Sequence, residues 1–274
     1  MKKIGFIGMG NMAQALAHGF IASGRIAKSD VYAFAPNQQK LQQNAERIGF
    51  VPVKTLQALV SAETDIDTFI MACKPYQIES VLEQIGETLC SREVSLVSVA
   101  SGWGYSQYDA VLSKIDAQYK VKIQFVMPNT PAMVSEGVFL FEQENSLVET
   151  ERNAIKQLFE AIGIVQELPS HLMGIGGAIS GCGPAFVDMF IEAYADAAVK
   201  YGIPRPTAYE LVNQTVRGSA VLCQRSGKHP GQLKDEVCSP GGTTICGVAT
   251  LEREGLRNAC IASIDAIMLK KKNG

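Results

Sequence analysis

One segment near the carboxyl end of the chain, residues 229–244, has the residue types of an anion-binding turn. It ends in Ser-Pro-Gly-Gly-Thr-Thr, in which Pro240 fixes its own φ while Gly241 and Gly242 allow the positive φ of a tight reversal. The two threonines can cap the helix predicted to follow. The free N–H groups at that helix start would stabilise a carboxylate, although a Pro-Gly-Gly turn is more commonly only a connector.

A glycine-rich turn near the amino terminus is the second candidate site. Gly8-x-Gly10-x-x-Ala13 comes directly after an apolar run that predicts a strand, and it opens a helical pattern. The first glycine makes the turn, the second lets a pyrophosphate approach the backbone, and the small third residue packs the helix on the strand. The alternative is a glycine turn that only tightens a strand–helix joint. In this context the pattern predicts a dinucleotide site at Ile7, Gly8, Met9, Gly10, Asn11 and Met12.

The end of the second predicted strand indicates which cofactor is used. It reads Phe34-Ala35-Pro36-Asn37, without the acidic residue that would bind a free ribose 2′-hydroxyl. Asn37 can cap the next helix, whose amides, together with Lys40, would receive a 2′-phosphate. The sequence therefore favours NADPH, with NADH as the alternative because no arginine is present to clamp the phosphate.

Two further loops are expected at the same edge of the sheet, because open α/β sheets bind ligands at the carboxyl ends of their strands. They are Ala72-Cys73-Lys74-Pro75 and Val99-Ala100-Ser101. A third loop, residues 127–132, places Asn-Thr between two prolines and should be stiff. Without a ligand, Lys74 would be an ordinary surface charge and the prolines would only stiffen loops.

The elements that must position these loops follow from the alternation of apolar runs and helical patterns. Up to about residue 168 the pattern predicts a Rossmann-like, doubly wound parallel sheet covered by helices, with residues 1–168 as one domain. The helix after the first strand should bury Met12, Ala15, Leu16, Gly19 and Phe20. The predicted strands cover residues 3–7, 31–35, 69–72, 96–99 and 123–127, with two more at the sheet edge, 138–141 and 164–167.

The second predicted domain, residues 169–274, is all-helical. Between residues 184 and 200 the polar residues Asp188, Glu192, Asp196 and Lys200 recur at every fourth position, and nearly all the others are apolar. A helix with so narrow a polar stripe must be covered on most sides. So small a domain can cover it most easily with a second copy of itself, which predicts a homodimer.

Composition excludes several classes of protein. A net charge of −2 over 274 residues leaves no basic field for nucleic acid. The sequence contains no run of ~20 uninterrupted apolar residues, so no membrane span is predicted. Gly8, Gly10 and Asn11 interrupt the apolar start, which argues against a secretory signal. The seven cysteines are scattered, without a C-x-x-C pair, which indicates reduced thiols in a cytoplasm and no metal site.

Taken together, these motifs resemble those of the pyrroline-5-carboxylate reductase family over essentially the whole chain. The resemblance rests on Ile7-Gly8-x-Gly10-Asn11-Met12, Lys74-Pro75, Met127-Pro128-Asn129-Thr130-Pro131, Ser-Gly-Cys-Gly-Pro-Ala at 180–185, and the 229–244 segment, which is the most specific. It implies a Rossmann domain, then a helical domain that interlocks into dimers, often assembled into decamers. It also implies reduction of 1-pyrroline-5-carboxylate to L-proline with NADPH or, less well, NADH.

The resemblance implies roles for individual residues. Residues 7–12, Ala35, Pro36, Asn37, Ala72, Cys73, Lys74, Pro75, Val99, Ala100 and Ser101 should contact the cofactor, and Ser239, Gly241, Gly242, Thr243 and Thr244 should hold the substrate. The catalytic assignment is the Thr244 hydroxyl, which would hydrogen-bond the ring nitrogen.

Three positions depart from the family pattern. Cys182 replaces a serine, Ala100-Ser101-Gly102-Trp103 replaces Ala-Ala-Gly-Val, and Phe34-Ala35 lacks the hydroxyls that some members place near the ribose phosphate. These departures leave cofactor preference and the details of the nicotinamide pocket open.

Two other functions fit part of the sequence. A hydroxyacid dehydrogenase or imine reductase would share the two-domain plan, but the hydroxyacid enzymes use a lysine soon after the glycine-rich helix start, and here the next lysine after Gly183 is Lys200, about four turns later. A non-catalytic NADP-binding regulator would explain Gly8 and Gly10 but not the 239–244 turn. His229 is the rival to Thr244 as proton donor, although a His-Pro-Gly helix start is more commonly structural.

Overall fold

The computed structural model describes residues 2–273, apart from the side chains of Ala62, Lys272 and Asn273. The chain forms two compact units, Met1–Gly181 and Cys182–Gly274. The first combines a sheet with helices, and the second is helical, which confirms the predicted fold class.

The first unit is built on an eight-stranded sheet in the order β3-β2-β1-β4-β5-β6-β7-β8. Each predicted strand is present, and the short β3, which consists of Val and Pro and has no readable pattern, was not predicted. The strands are β1 Ile4–Ile7, β2 Val31–Phe34, β3 Val51–Pro52, β4 Thr68–Met71, β5 Ser95–Ser98, β6 Lys122–Met127, β7 Gly137–Glu142 and β8 Gly163–Leu168.

The prediction of an all-parallel sheet is wrong at one step. Strands β1 to β6 are parallel, but β7 runs antiparallel to β6, and β8 is parallel to β7. The connection from Met127 to Gly137 contains only one short 3₁₀ turn. A parallel crossover needs about a dozen residues or more, so this connection can only reverse the chain.

Helices cover both faces of the sheet because successive strand residues point to opposite sides. Phe6 packs in one layer and its neighbour Ile7 in the other. In α1, Ala15, Leu16, Gly19 and Phe20 are buried and Met12 is half-buried, as predicted. The helices of this unit are α1 Asn11–Ala22, α2 Gln38–Ile48, α3 Leu56–Val60, α4 Ile78–Cys90, α5 Tyr105–Ile115, α6 Glu149–Glu160 and α7 Met173–Gly177, followed by a π-helical turn, Ala178–Cys182.

The second unit contains α8 Gly183–Lys200, α9 Arg205–Ser226, α10 Pro230–Glu236, α11 Thr243–Arg253 and α12 Leu256–Asn273. Its helix ends are marked by the expected residues: Pro230 begins α10, and Gly227, with φ +65°, ends α9. Among the described residues of this unit, Ala195 and Ala208 are buried, while Phe186, Met189 and Phe190 are exposed. By length and composition alone the helical segment Ser170–Lys200 would be apolar enough to cross a membrane, and 17% of its most apolar window is buried.

Candidate functional site

Strand register brings the predicted cofactor loops to one edge of the first unit. Ile7 is paired with Phe34 on one side and Met71 on the other, and Met71 is paired with Ser98. The strands β2, β1, β4 and β5 therefore end at the same level. The loops that leave this edge carry all the predicted cofactor residues, at 7–12, 35–37, 72–75 and 99–101.

The first glycine of the turn after β1 is held where no side chain fits. Gly8 has φ +98°, and its N–H donates to the Phe34 carbonyl at 2.8 Å. A Cβ atom at Gly8 would lie 2.8 Å from the backbone nitrogen of Cys73 and 2.9 Å from the Ala72 carbonyl oxygen. Glycine at this position therefore permits close packing of the β1 and β4 loops.

The second glycine faces open space instead. Gly10 is the N-cap residue of α1, and a Cβ placed there would meet no atom within 4 Å. No side chain caps α1, so its first amides are left for water or a ligand. The Gln14 side-chain amide donates to the Met9 carbonyl at 3.1 Å, which fixes the turn below the opening. An uncapped helix start beside an open, rigid turn fits a pyrophosphate.

The loop after β2 has the donors expected for a phosphate and no carboxylate. Asn37 caps α2 as predicted, since its Oδ1 accepts the Lys40 N–H at 2.9 Å. The Gln38 side-chain amide donates to the Ala35 carbonyl at 2.8 Å and closes the loop. Pro36, Asn37 and Lys40 are exposed, so the α2 amides and the Lys40 ammonium group are accessible.

Cys73, in the loop after β4, is packed rather than reactive. Its sulfur lies 3.5 Å from the Met71 sulfur, and burial raises the pKa of the thiol to about 11. The neighbouring Lys74 is exposed, and its backbone N–H donates to the Gln77 side chain at 3.2 Å. In the described part of the chain no carboxylate is paired with the Lys74 ammonium group, which leaves that charge for a ligand.

The loop after β5 is a tight turn. The Trp103 N–H donates to the Ala100 carbonyl at 3.2 Å, and Gly102 between them has φ +82°. Ser98 closes the turn from below, since its hydroxyl donates to the Trp103 carbonyl at 3.0 Å. Ser101 lies at the exposed tip of this turn.

Asn129, in the proline-bracketed loop, has a structural role that the sequence did not reveal. Its Oδ1 accepts the Val138 N–H at 2.8 Å, and its Nδ2 donates to the Ser180 carbonyl at 3.0 Å. Both ends of the buried amide are therefore used within the first unit. Asn129 therefore connects β7 to the π-helical turn Ala178–Cys182.

In the second unit, residues 239–244 form the predicted turn. The Gly242 N–H donates to the Ser239 carbonyl at 3.0 Å, and Gly241 has φ +67°. The expectation that the threonines cap the helix is wrong: Gly242 is the N-cap residue of α11 and no side chain caps it. Glycine suits this N-cap position because a Cβ there would collide with the Ser239 hydroxyl.

Thr243 and Thr244 are therefore the first residues of α11 and are exposed. Their hydroxyl groups form no hydrogen bond to other described residues. His229 caps α10 by accepting the Gly231 N–H on Nδ1 at 3.1 Å, which supports its structural interpretation. The turn thus offers free amides and free hydroxyls, the groups that bind a carboxylate and a ring nitrogen.

A cavity of about 140 Å³ lies at the opposite edge of the sheet, near the amino ends of β4 and β5. Asp67, Glu93 and Glu151 line it. Lys122 lies 3.1 Å from Glu93 and 2.7 Å from Glu151. Because three acidic residues line it, this cavity does not suit a phosphate-bearing cofactor.

Comparisons with known proteins agree with this arrangement. Residues 170–273 match the family model for pyrroline-5-carboxylate reductase dimerisation, and residues 3–102 match that for coenzyme F420-dependent NADP oxidoreductases. The chain is 37% identical over 265 residues to the pyrroline-5-carboxylate reductase of Treponema pallidum, covering 97% of this chain and 98% of that protein. The Escherichia coli enzyme is 37% identical over 272 residues, with 99% and 97% covered. The crystal structure of Plasmodium falciparum pyrroline carboxylate reductase with NADP bound superposes with a TM-score of 0.85 at 32% identity, covering 99% of this chain and 97% of that one.

Proposed function

The chain belongs to the pyrroline-5-carboxylate reductase family, and on that basis we propose that the carboxyl edge of β2, β1, β4 and β5 binds NADPH while residues 239–244 bind the substrate. The protein is an NAD(P)H-dependent oxidoreductase that reduces 1-pyrroline-5-carboxylate to L-proline, the last step of proline biosynthesis. The observation that carries the cofactor assignment is the contrast at the glycine turn, closed against backbone at Gly8 and open at Gly10.

Four loops share the proposed contacts to the cofactor. Residues 7–12 hold the pyrophosphate on the amides of α1, and residues 35–37 hold the adenosine ribose and its 2′-phosphate. The loops 72–75 and 99–101 then line the path toward the nicotinamide. The α2 amides of Gln38 and Gln39, which Asn37 does not cap, the exposed Lys40 and the absence of a carboxylate in residues 31–40 favour NADPH over NADH.

The substrate assignment rests on the chemistry of a cyclic imine that carries a carboxylate. The carboxylate docks on the free amides of the 239–244 turn, where the α11 dipole favours negative charge. The Thr244 hydroxyl hydrogen-bonds the ring nitrogen and orients the ring. When bound, NADPH would supply the hydride that reduces the imine carbon of the ring, the carbon double-bonded to the ring nitrogen.

Positioning is the main contribution of the chain to the rate. A protonated imine is already an electrophile, so no strong acid is needed. The reaction requires the imine carbon to lie about 3 to 3.5 Å from the hydride-bearing carbon. Thr244 and the turn amides fix the ring from its nitrogen and its carboxylate, which agrees with a substrate turn that contains no acid–base pair.

The chain forms a homo-oligomer, in keeping with the dimerisation family that residues 170–273 match. We propose that the apolar faces of α8 and α12 pair with a second copy, which also accounts for an apolar Ser170–Lys200 segment without a membrane. Assembly of dimers into decamers and a cytoplasmic location belong to the same proposal, as does a functional domain boundary between residues 168 and 169. Sedimentation at micromolar concentration tests the assembly, and a stable monomer contradicts it.

The deciding experiment is NADPH oxidation followed at 340 nm with and without added 1-pyrroline-5-carboxylate. Oxidation that depends on the imine, with proline as product, supports the proposal. NADPH oxidation with a ketoacid but not with the imine favours the alternative function, that of a hydroxyacid dehydrogenase. Tight NADPH binding without turnover of any substrate favours the other alternative, a non-catalytic NADP-binding regulator. A parallel series with NADH tests the cofactor preference, and a lower KM for NADH contradicts it.

A further inference from the structure

Helix α5 follows the turn after β5 and has no cap of its own. Its N-cap residue, Gly104, has no side chain, and helix starts leave several N–H groups without partners in the helix. The partner comes from β7 instead: a carboxylate oxygen of Glu142 accepts the Tyr105 N–H at 2.9 Å. The Gly104 N–H donates to the Gln107 side chain at 3.0 Å. Glu142 is 6% exposed, so this contact is shielded from solvent.

The backbone that carries Glu142 is itself held in place. The buried Gln124 side chain, on β6, donates to the Glu142 carbonyl at 2.9 Å. Arg152, on α6, donates from Nε to the Gln124 Oε1 at 3.3 Å. Because β6 and α6 both fix the backbone at Glu142, the Glu142 carboxylate lies in a rigid position next to the start of α5. Its negative charge is also favourable at a helix start.

Gly104 and Glu142 form one arrangement. A Cβ atom at position 104 would lie 2.9 Å from Oε2 and 3.1 Å from Oε1 of Glu142. A side-chain cap at residue 104 and the carboxylate of Glu142 therefore exclude each other. The chain uses the carboxylate, and glycine at position 104 is the residue that makes room for it.

This cap lies directly beside a cofactor loop. Gly104 follows Trp103, the last residue of the turn that begins at Ala100 and is closed by its own hydrogen bond. The Trp103 ring packs edge-on against Tyr108 of α5, with 5.2 Å between the ring centroids. Any shift in the start of α5 is therefore transmitted to Ala100 and Ser101.

We propose that Glu142 is a positioning residue for the cofactor turn at residues 99–101, acting as a cap on α5 supplied from β7. The inference rests on the proposed function, in which this turn contacts NADPH. Glu142 touches neither cofactor nor substrate. Its effect should therefore appear in the affinity for NADPH and not in the affinity for the imine.

A double-substitution cycle tests the proposal. Glu142→Ala leaves the α5 start uncapped, and we expect the KM for NADPH to rise about five-fold while kcat and the KM for the imine stay within about two-fold. Gly104→Ser alone should also raise the KM for NADPH, because its side chain collides with Glu142. In the double variant the serine has room to cap α5, so the KM for NADPH should return toward that of the parent enzyme.

Controls separate the possible outcomes. Glu142→Gln keeps the acceptor oxygen, should fold even if the alanine variant does not, and should raise the KM for NADPH by about two-fold. Glu160→Ala removes an exposed carboxylate and should change nothing. If the variants alter only the melting temperature, or if the double variant shows no recovery, the positioning role is wrong. If Gly10→Val also leaves the KM for NADPH unchanged, the proposed cofactor edge itself is wrong.

Discussion

The two units differ in how much of their apolar surface a single chain can bury. In the first unit the sheet residues Ile4, Phe6 and Phe69 have no exposed surface. In the second, the described residues that are buried are Ala195 and Ala208, while Met189 is 68% exposed. Both units consist of regular elements, so the difference does not lie in secondary structure.

The difference shows where tertiary stability comes from in each half. A sheet between two helical layers has a complete interior within one chain. Helix α8, which is apolar around most of its surface, has no such interior within its own unit, and a second copy is the proposed cover. The proposed cofactor edge therefore lies in a unit with a complete core, whereas the proposed substrate turn lies in a unit whose apolar helix face one chain leaves uncovered.

The largest effect is expected from a charge on the uncovered face of α8. Met189→Glu costs almost nothing in an isolated chain, where the side chain is exposed, but it buries an unpaired carboxylate in the assembly, at a cost of several kcal/mol. We expect loss of the oligomer and of nearly all activity, measured by sedimentation and turnover. Glu192→Gln, on the polar stripe of the same helix, is the matched control. An intact oligomer with the glutamate in place would contradict the proposed interface.

Substitutions at Gly8 and Gly10 test whether the first glycine of the turn is closed and the second is open. Gly8→Ala forces a side chain into a positive φ and against the Cys73 backbone, which should cost about 2 to 4 kcal/mol of folding free energy. Gly10→Val meets open space, so its unfolding free energy should fall by no more than about 1 kcal/mol, the cost of an apolar N-cap residue.

The same valine should raise the KM for NADPH at least ten-fold, because it fills the space proposed for the pyrophosphate. Chemical denaturation and steady-state kinetics measure both quantities. Equal effects of the two substitutions on stability would show that the open and closed positions are wrongly assigned.

Removal of one hydroxyl tests the substrate turn. Thr244→Ala should lower kcat/KM for the imine ten-fold or more, on the order of 1.4 kcal/mol, and leave NADPH affinity unchanged. Thr250→Ala, further along α11, is the control, because its hydroxyl donates to the Cys246 carbonyl within the helix. An unaltered kcat/KM would remove Thr244 from the mechanism.

The smallest effect concerns Cys73. With a pKa raised by burial to about 11, only about one thiol in ten thousand is ionised at pH 7, so alkylation should be slow and should accelerate as the pH rises toward 11. The folded state holds this proton more tightly than the unfolded state, so its stabilising contribution is present below about pH 9 and is lost between pH 9 and 11. Mass spectrometry of the Cys73 peptide checks the rate, with protein unfolded in urea as the control. Equal rates in the two states would contradict the packed environment.

Local patterns predicted most of the fold because each strand and helix of the first unit is regular. Apolar runs identified the strands, and the spacing of Leu16 and Phe20 identified the buried face of α1. The pattern missed β3, which is only Val51–Pro52, and the antiparallel direction of β7, which depends on the length of a connection. It also assigned the α11 cap to the threonines, although the helix begins at Thr243 and its N-cap residue is Gly242.

By itself the sequence determined the two-part plan, the glycine turn, the 239–244 turn and the family, because each is encoded in neighbouring residues whose conformational limits are local. Tertiary structure decided which loops share an edge, that Gly8 is closed while Gly10 is open, and that Glu142 caps a helix whose first residue lies 37 positions earlier in the chain. These depend on strand order and register, which bring distant residues within hydrogen-bond distance and leave no mark on the sequence around either one.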